Sequence, residues 1–412
     1  MSAARTTAVF GGIALALLLV TWATTPRIRS SEASTDRGAL LFPEFRDPNA
    51  AASLEVTEFD ARTATIQPFK VQNRNGRWTI PSQHDYPVDG GDRLATTAAA
   101  LIALRKEDVA SENVADHERC GVLDPIDTTR PNVTGRGIRL VVRGAHDQIL
   151  ADVILGNPVA GHPGLRYVRV PDQKRVYIST VGDLRLSTAF ADWIDRDVLQ
   201  IQSPEIVAVN LRNYSLDRST GRVEPGETLL LQRGHDGAWT LNGLQPQQHL
   251  DLNRVSALLD SLTSRLRITG VLPKPAGVTA TLSQELTRSS ISSEDRADLA
   301  RKGFYLATNG QLVSNRGEIV VQTKRGVFYT LRFGDVAPGA EGSTSDGNRY
   351  LFIMVDFDPS SAETPGLAAE GGDKARLLRV RFAPWYYIIA ADTFKDIRLG
   401  RTDLIARAGV GP

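Results

Sequence analysis

Residues 75–94 read NGRWTIPSQHDYPVDGGDRL, and residues 236–255 read DGAWTLNGLQPQQHLDLNRV. Each stretch leaves a turn, enters Trp-Thr plus an apolar residue, crosses a polar segment and reaches a helix start. Asn75-Gly76 and Asp236-Gly237 suit tight turns because these residue types tolerate positive φ. The recurrence predicts a chain built twice from one unit. Working outward, SLEVTEFD (53–60) and IVAVNLRN (206–213) alternate apolar and polar residues, the period of a half-buried strand. FKVQNRNGRWTI (69–80) and LLLQRGHDGAWTL (229–241) each read as a hairpin. A helix follows in each half. Leu94, Ala98, Leu101 and Ile102 share one face of the first, with Asp92 as N-cap. Val255, Leu259, Leu262 and Leu266 share one face of the second, capped by Asp251 or Asn253.

The parallel continues downstream. IRLVVRGAHDQILADVILGN (138–157) matches GEIVVQTKRGVFYTLRFGD (317–335) as a strand pair. RYVRV (166–170) matches RYLFIMV (349–355), and RVYISTVGDL (175–184) matches WYYIIAADTF (385–394). The expected fold class is α+β: two tandem repeats of a strand-rich, mainly antiparallel sheet plus helix unit. The first repeat takes in residues 40–203 and the second 204–412. The second carries an insertion near 356–374, DFDPSSAETPGLAAEGGDK, whose Pro, Gly, Ser and Glu predict a surface loop. SSEDRADLARKGF (292–304) reads as a short helix capped by Ser292 or Ser293.

Composition narrows the class. With 412 residues, of which 42% are hydrophobic and 23% charged, the chain is long enough for two to three globular domains. A net charge of +1 gives no global field for nucleic acid or an anionic surface. The single cysteine, Cys120, excludes an intramolecular disulfide and a cysteine-based metal cluster. Beside the apolar Val122 and Leu123 it reads as a small buried residue. Residues 6–25, TTAVFGGIALALLLVTWATT, are uncharged, and as a helix they match the hydrocarbon thickness of a bilayer. No A-x-A site follows, so residues 1–26 are expected to stay as an N-terminal transmembrane helix. Residues 27–39 form a polar linker. Arg5 lies on one side of the span and Arg27 and Arg29 on the other, so the charge rule leaves the orientation open. The short N-tail before a lone apolar segment places the body outside the cytoplasm.

The order LLFPEF (40–45), NGRWTI (75–80), DYPVDGGDRL (85–94), CGVLDP (120–125), VILGN (153–157), RYVRV, VYIST (176–180) and FADWIDRDVL (190–199) resembles a bacterial family. It is the domain-of-unknown-function family numbered 4340, found in auxiliary components of gliding-motility-type ABC transporters. The resemblance runs from about Leu40 to Leu404. It implies a membrane-tethered extracytoplasmic α+β protein associated with an ABC exporter, and it implies no catalytic site. Cys120 stands where an aromatic residue is more usual.

Candidate chemistry is sparse. There is no G-x-x-x-x-G-K-[ST] loop, so the chain is not the ATPase, and no dinucleotide fingerprint, G-x-S-x-G elbow or H-E-x-x-H pair. His84, His117, His146, His162, His235 and His249 lack ligand spacing. Asp85, Asp89 and Asp92 could gather a hard cation, but a turn followed by a helix cap explains them equally simply. Asp356, Asp358 and Glu363 read the same way. Asp192, Asp195 and Asp197 could include an acid/base pair, Asp192 and Asp195 falling on one helical face with Arg196 beside the latter. The plainer reading is a solvated face with Trp193 packed inward. Trp78 and Trp239, at equivalent positions, are expected to be core anchors rather than ligand-stacking rings. Asn132 and Asn213 match a glycosylation pattern that is coincidental in a bacterial protein. No catalytic, cofactor-binding or metal-ligating residue is assigned, and no cofactor is expected.

The expected function is a membrane-tethered extracytoplasmic binding or assembly protein, anchored in the cytoplasmic membrane with its body periplasmic. Its expected partner is an ABC transporter permease or another envelope protein, with no nucleic acid or nucleotide. Two alternatives stand beside it. One is a cell-envelope hydrolase using carboxylates in a cleft between the repeats; the other is a structural spacer.

Overall fold

The computed structural model describes residues 36–88, 91–129, 134–182, 184, 186–195, 197–217, 222–275, 277–278, 291–307, 311–337 and 347–406, residues 91–93 by backbone alone. The expected N-terminal membrane helix, most of the linker, Asp89, Arg196 and Asn132 lie outside these residues, as does the side chain of Asp92. Among the described residues no helix is long and apolar enough to cross a membrane.

The fold is mixed α+β with mostly antiparallel sheets. Strands β1 (Ser53–Asp60), β2 (Thr65–Arg74), β3 (Arg77–Ile80) and β4 (Tyr86–Pro87) precede helix α1 (Gly91–Ala103). Then come β5 (Asp108–Ser111), the single turn α2 (His117–Cys120), β6 (Ile138–Arg143), β7 (Ile149–Pro158), β8 (Leu165–Arg169) and β9 (Val176–Thr180). The next group is β10 (Ile206–Arg212), β11 (Ser215–Asp217), β12 (Arg222–Glu224), β13 (Thr228–Arg233), β14 (Trp239–Leu241), α3 (Leu252–Leu262) and β15 (Ile268–Pro273). The chain continues through α4 (Ser293–Arg301), β16 (Phe304–Leu306), β17 (Leu312–Ser314), β18 (Glu318–Thr323), β19 (Arg325–Val336) and β20 (Arg349–Ala362). It ends with α5 (Pro365–Phe382), β21 (Trp385–Ile389), α6 (Ala391–Ile397) and α7 (Arg401–Leu404).

Two compact units divide the chain. One draws on the described parts of 1–51, 57–66 and 96–184, the other on those of 52–56, 67–95 and 185–412. In the first unit the strand order is β6-β7-β8-β9-β5, with antiparallel neighbours. Leu140, Val153, Val168 and Val176 are fully buried, as period-two alternation requires. Cys120 is fully buried too, and burial pushes its thiol up, away from reactivity.

The second unit holds the order β4-β3-β2 and the eight-stranded order β14-β13-β10-β18-β19-β20-β21-β15. The β2–β3 turn uses Asn75 at φ 54° and Gly76 at φ 82°, as the sequence predicts. The predicted caps of α3 and α4 form, whereas α1 starts at Gly91, which puts Asp92 inside the helix rather than at its cap. Asp251 accepts from the N–H groups of Asn253 and Arg254 at 3.0 and 3.1 Å, and Ser292 from Asp295 at 3.0 Å. Val255, Leu259 and Leu262 are buried on α3, while Leu266, also buried, lies beyond its end.

Two expectations are corrected. Residues 356–374 do not form a loop. β20 continues to Ala362, paired with β19 at Val327↔Phe357 and Arg325↔Ala362, and α5 starts at Pro365. The Thr364 hydroxyl accepts from the Leu367 N–H at 3.3 Å, and Pro365 occupies the first turn, where its missing donor costs nothing. Gly371, which reads as loop composition, is buried against the Arg325 carbonyl, where a Cβ would collide with backbone. Glycine here lets helix and sheet approach closely. Trp78 and Trp239 are half-buried, not core anchors. Each sits at the turn end of a short strand, and the fully covered position on the same face falls two residues on, at Ile80 and Leu241.

Candidate functional site

The C-terminal half of α5 and the β3–β4 segment build the most distinctive surface of the second unit. α5 lies along β19 and β20 and buries Gly371, Ala375, Leu378 and Phe382, a narrow stripe at helical spacing. A polar outer face would be expected opposite that stripe. Instead Leu377 and Val380 stand there, 72% and 73% exposed. Beside them opens a cleft of about 500 Å³, walled by Leu377, Leu378, Val380 and Arg381 of α5, by Pro384 and Trp385, by Gln200, and by the segment Arg77–Pro87.

Aromatic rings form its floor. Tyr86, only 3% exposed, packs edge-on against Trp385 with ring centroids 5.1 Å apart, and against Phe190 at 5.8 Å. Its hydroxyl lies 3.4 Å from that of Tyr387. The turn that delivers Tyr86 is tight: His84 and Asp85 both take positive φ, and the Asp85 N–H donates to the Ile80 carbonyl. Asp85 therefore serves the turn. Its carboxylate accepts from Arg74 at 2.5 Å and from the Thr79 hydroxyl at 3.4 Å.

The acidic residues singled out in the sequence are occupied elsewhere in the same way. Asp192, Asp195 and Asp197 share no helical face. Only a 3-10 turn, Phe190–Asp192, forms there, followed by irregular chain. Asp192 accepts from the Ser187 hydroxyl at 2.6 Å, and Asp195 from the Asp197 N–H at 2.9 Å, while Arg381 stands 4.0 Å from Asp195. Trp193 does pack inward, at 1% exposure. Burial pushes the Asp197 carboxyl up, against the pull of the Ile201 N–H that it accepts. Beneath α5, Glu205 pairs with Arg325 and stands 3.5 Å from Lys374, and Arg325 also reaches Glu370 at 3.1 Å. Burial, then the Arg325 charge, lowers the Lys374 amine. In the former insertion Asp356 faces Arg379 at 3.7 Å. Asp358 accepts from the hydroxyls of Ser360 and Ser361 at 2.6 and 2.7 Å, which lowers its carboxyl. His117 is buried with its Nε2 2.7 Å from the Lys174 carbonyl oxygen. The described carboxylates named here support turns and ion pairs rather than converging on a cleft.

Lys274 is a buried amine that no sequence motif marks. At 6% exposure its Nζ donates to the Phe382 carbonyl at 3.1 Å, closing the C-terminus of α5, and lies 3.8 Å from the Phe352 ring centroid. Desolvation holds its amine well below the usual lysine range. The unfolded chain therefore binds more protons than the folded one between the lowered value and about 10.5. Stability should rise with pH across that window, by at most about 1.4 kcal/mol per pH unit. Lys274→Met should lack this increment, so the wild type should gain on the variant in urea titrations from pH 7 to pH 10. A constant difference over that range would show an unperturbed amine.

The cleft leaves almost no trace in the sequence. Its one available signal was LLRVRF (377–382), where Leu377 and Val380 recur at i and i+3 opposite Ala375, Leu378 and Phe382. That pattern has meaning only once the segment is known to be helical.

A family model described as a domain of unknown function (DUF4340) matches residues 78–285. The chain belongs to this family. The match takes in Thr79, Tyr86, Gln200 and Lys274 of this DUF4340 protein and ends before α5. No curated protein matches the chain, and no solved structure does.

Proposed function

We propose that this DUF4340 protein is a membrane-tethered extracytoplasmic binding or assembly protein. In this reading it is an accessory component of an ABC-type transporter or envelope complex, acting by docking rather than turnover. The supporting observation is the pair of exposed apolar residues, Leu377 and Val380, beside an aromatic-floored cleft whose one carboxylate among the described residues, Asp85, is paired with Arg74. A hydrolytic site asks instead for carboxylates free to meet a substrate. Contiguous apolar residues rimmed by charge are the usual mark of a protein contact.

In this reading the chain is also built twice from one unit. The order β6-β7-β8-β9-β5 corresponds to β18-β19-β20-β21-β15, and β3-β2 to β14-β13. In each half the strand that follows the helix, β5 or β15, ends the order beside the last strand, β9 or β21. On this reading α5 is an addition to the second copy, and a repeated scaffold carries a docking helix.

The test is affinity purification from detergent-solubilised membranes with the full chain, a form lacking residues 1–29, and Leu377→Asp/Val380→Asp. The full chain should retain ABC transporter subunits, and the double variant should lose them while keeping its unfolding midpoint. Retention of no envelope protein by any form would sink the reading.

A further inference from the structure

We propose that the cleft between α5 and the β3–β4 segment binds a segment of a partner protein that combines apolar anchor side chains with a carboxylate. This deepens the docking reading above and rests on it. The apolar half follows from shape. Leu377 and Val380 lie one turn apart on α5, and Trp385 and Leu378 wall the space beside them. An occupant with two apolar side chains about a helical turn apart covers Leu377, Val380 and the open part of Trp385, as in helix-in-groove recognition.

The charged half follows from counting partners around the cleft. Asp85 is held by Arg74, and Asp195 faces Arg381 at 4.0 Å. Arg77, on the cleft wall and exposed, forms no ion pair among the described residues. Among the described residues the cleft thus keeps a surplus positive charge beside its apolar floor, and a carboxylate on the occupant would meet it. At a surface edge such a pair governs selectivity and encounter rate more than raw affinity.

The same inventory argues against two other occupants. A second copy of the chain docked about a two-fold axis would offer this face only itself, and its carboxylates Asp85 and Asp195 already face Arg74 and Arg381. An anionic lipid surface is drawn by clusters of unneutralised cations, but Arg376 pairs with Asp373, and Arg379 stands 3.7 Å from Asp356.

The experiment uses the full chain in a zwitterionic detergent, with micelles alone as reference. Fluorescence anisotropy follows three labelled amphipathic peptides, built from Leu and Glu, Leu and Lys, or Ser and Glu. The Leu/Glu peptide should bind saturably and roughly tenfold tighter than either of the others, about the effect of one well-placed contact. Arg77→Glu should abolish or invert the Glu-over-Lys preference, and Val380→Asp should weaken Leu/Glu binding at least as much, both at an unchanged unfolding midpoint. Equal binding of the Glu and Lys peptides, or indifference to Arg77→Glu, would overturn the proposal. So would binding confined to anionic vesicles, or a concentration-dependent dimer abolished by Val380→Asp. If the peptide preference holds but no transporter subunit co-purifies, the functional reading fails and the chemistry of the cleft stands. If a transporter co-purifies without the preference, the reverse is true.

Discussion

Trp193→Ala should lower stability by about 3–5 kcal/mol, the cost of emptying the site of a large buried ring. Trp193 is among the largest fully buried side chains. Its ring stacks on Phe69 with centroids 5.2 Å apart and an interplanar angle of 22°, and its indole N–H donates to the Ser187 carbonyl at 2.9 Å. Truncation therefore removes apolar burial, a stacking partner and a hydrogen bond together. Trp78→Ala and Trp239→Ala, at half-buried strand ends, should each cost only about 1 kcal/mol, since less area leaves water there. Urea unfolding of the three variants provides the comparison. Equal losses at all three sites would mean that the paired tryptophans are anchors after all.

Glu318→Ala should cost about 3 kcal/mol. Glu318 opens β18, in register with Arg212 on β10 and Arg332 on β19. It accepts from Arg212 at 2.9 Å and from Arg332 at 2.8 Å, and the Tyr214 hydroxyl lies 3.4 Å away. Its side chain is 7% exposed and that of Arg332 14%, so removing the carboxylate strands a guanidinium inside the sheet. Arg212, 47% exposed, contributes little because water screens it. Glu318→Leu combined with Arg332→Met should recover most of the loss, because no uncompensated charge remains. A double variant as unstable as the single one would place the cost in packing instead.

Much of the scaffold was legible locally. Asn75-Gly76 marks its turn because positive φ is a property of one or two residues, and Asp251 and Ser292 mark helix starts because a cap acts within three positions. The alternation in residues 318–323 and 325–336 likewise reads directly as strand. The misses share one cause. Residues 356–374 read as a loop because Pro, Gly, Ser and Glu dominate them, yet contact with the Arg325 carbonyl makes glycine at 371 the residue that fits inside a helix. The tryptophans at 78 and 239 read as core because large rings usually are, whereas their depth depends on where the strand ends.

The sequence by itself determined an α+β chain of antiparallel sheets, its turns and caps, its membership of the DUF4340 family and the lack of the nucleotide and hydrolase motifs sought. Each of these is carried by short-range pattern, where neighbouring residues settle φ, ψ and the face a side chain takes. Only the tertiary structure decided that residues 365–382 form a helix lying on β19 and β20. It also decided that Arg74 engages Asp85, that Lys274 closes the end of α5, and that Leu377 and Val380 are left facing water beside Tyr86 and Trp385. These depend on residues up to some three hundred positions apart, such as Tyr86 and Tyr387, meeting in space. Burial and charge pairing are properties of that meeting, which one-dimensional order does not contain.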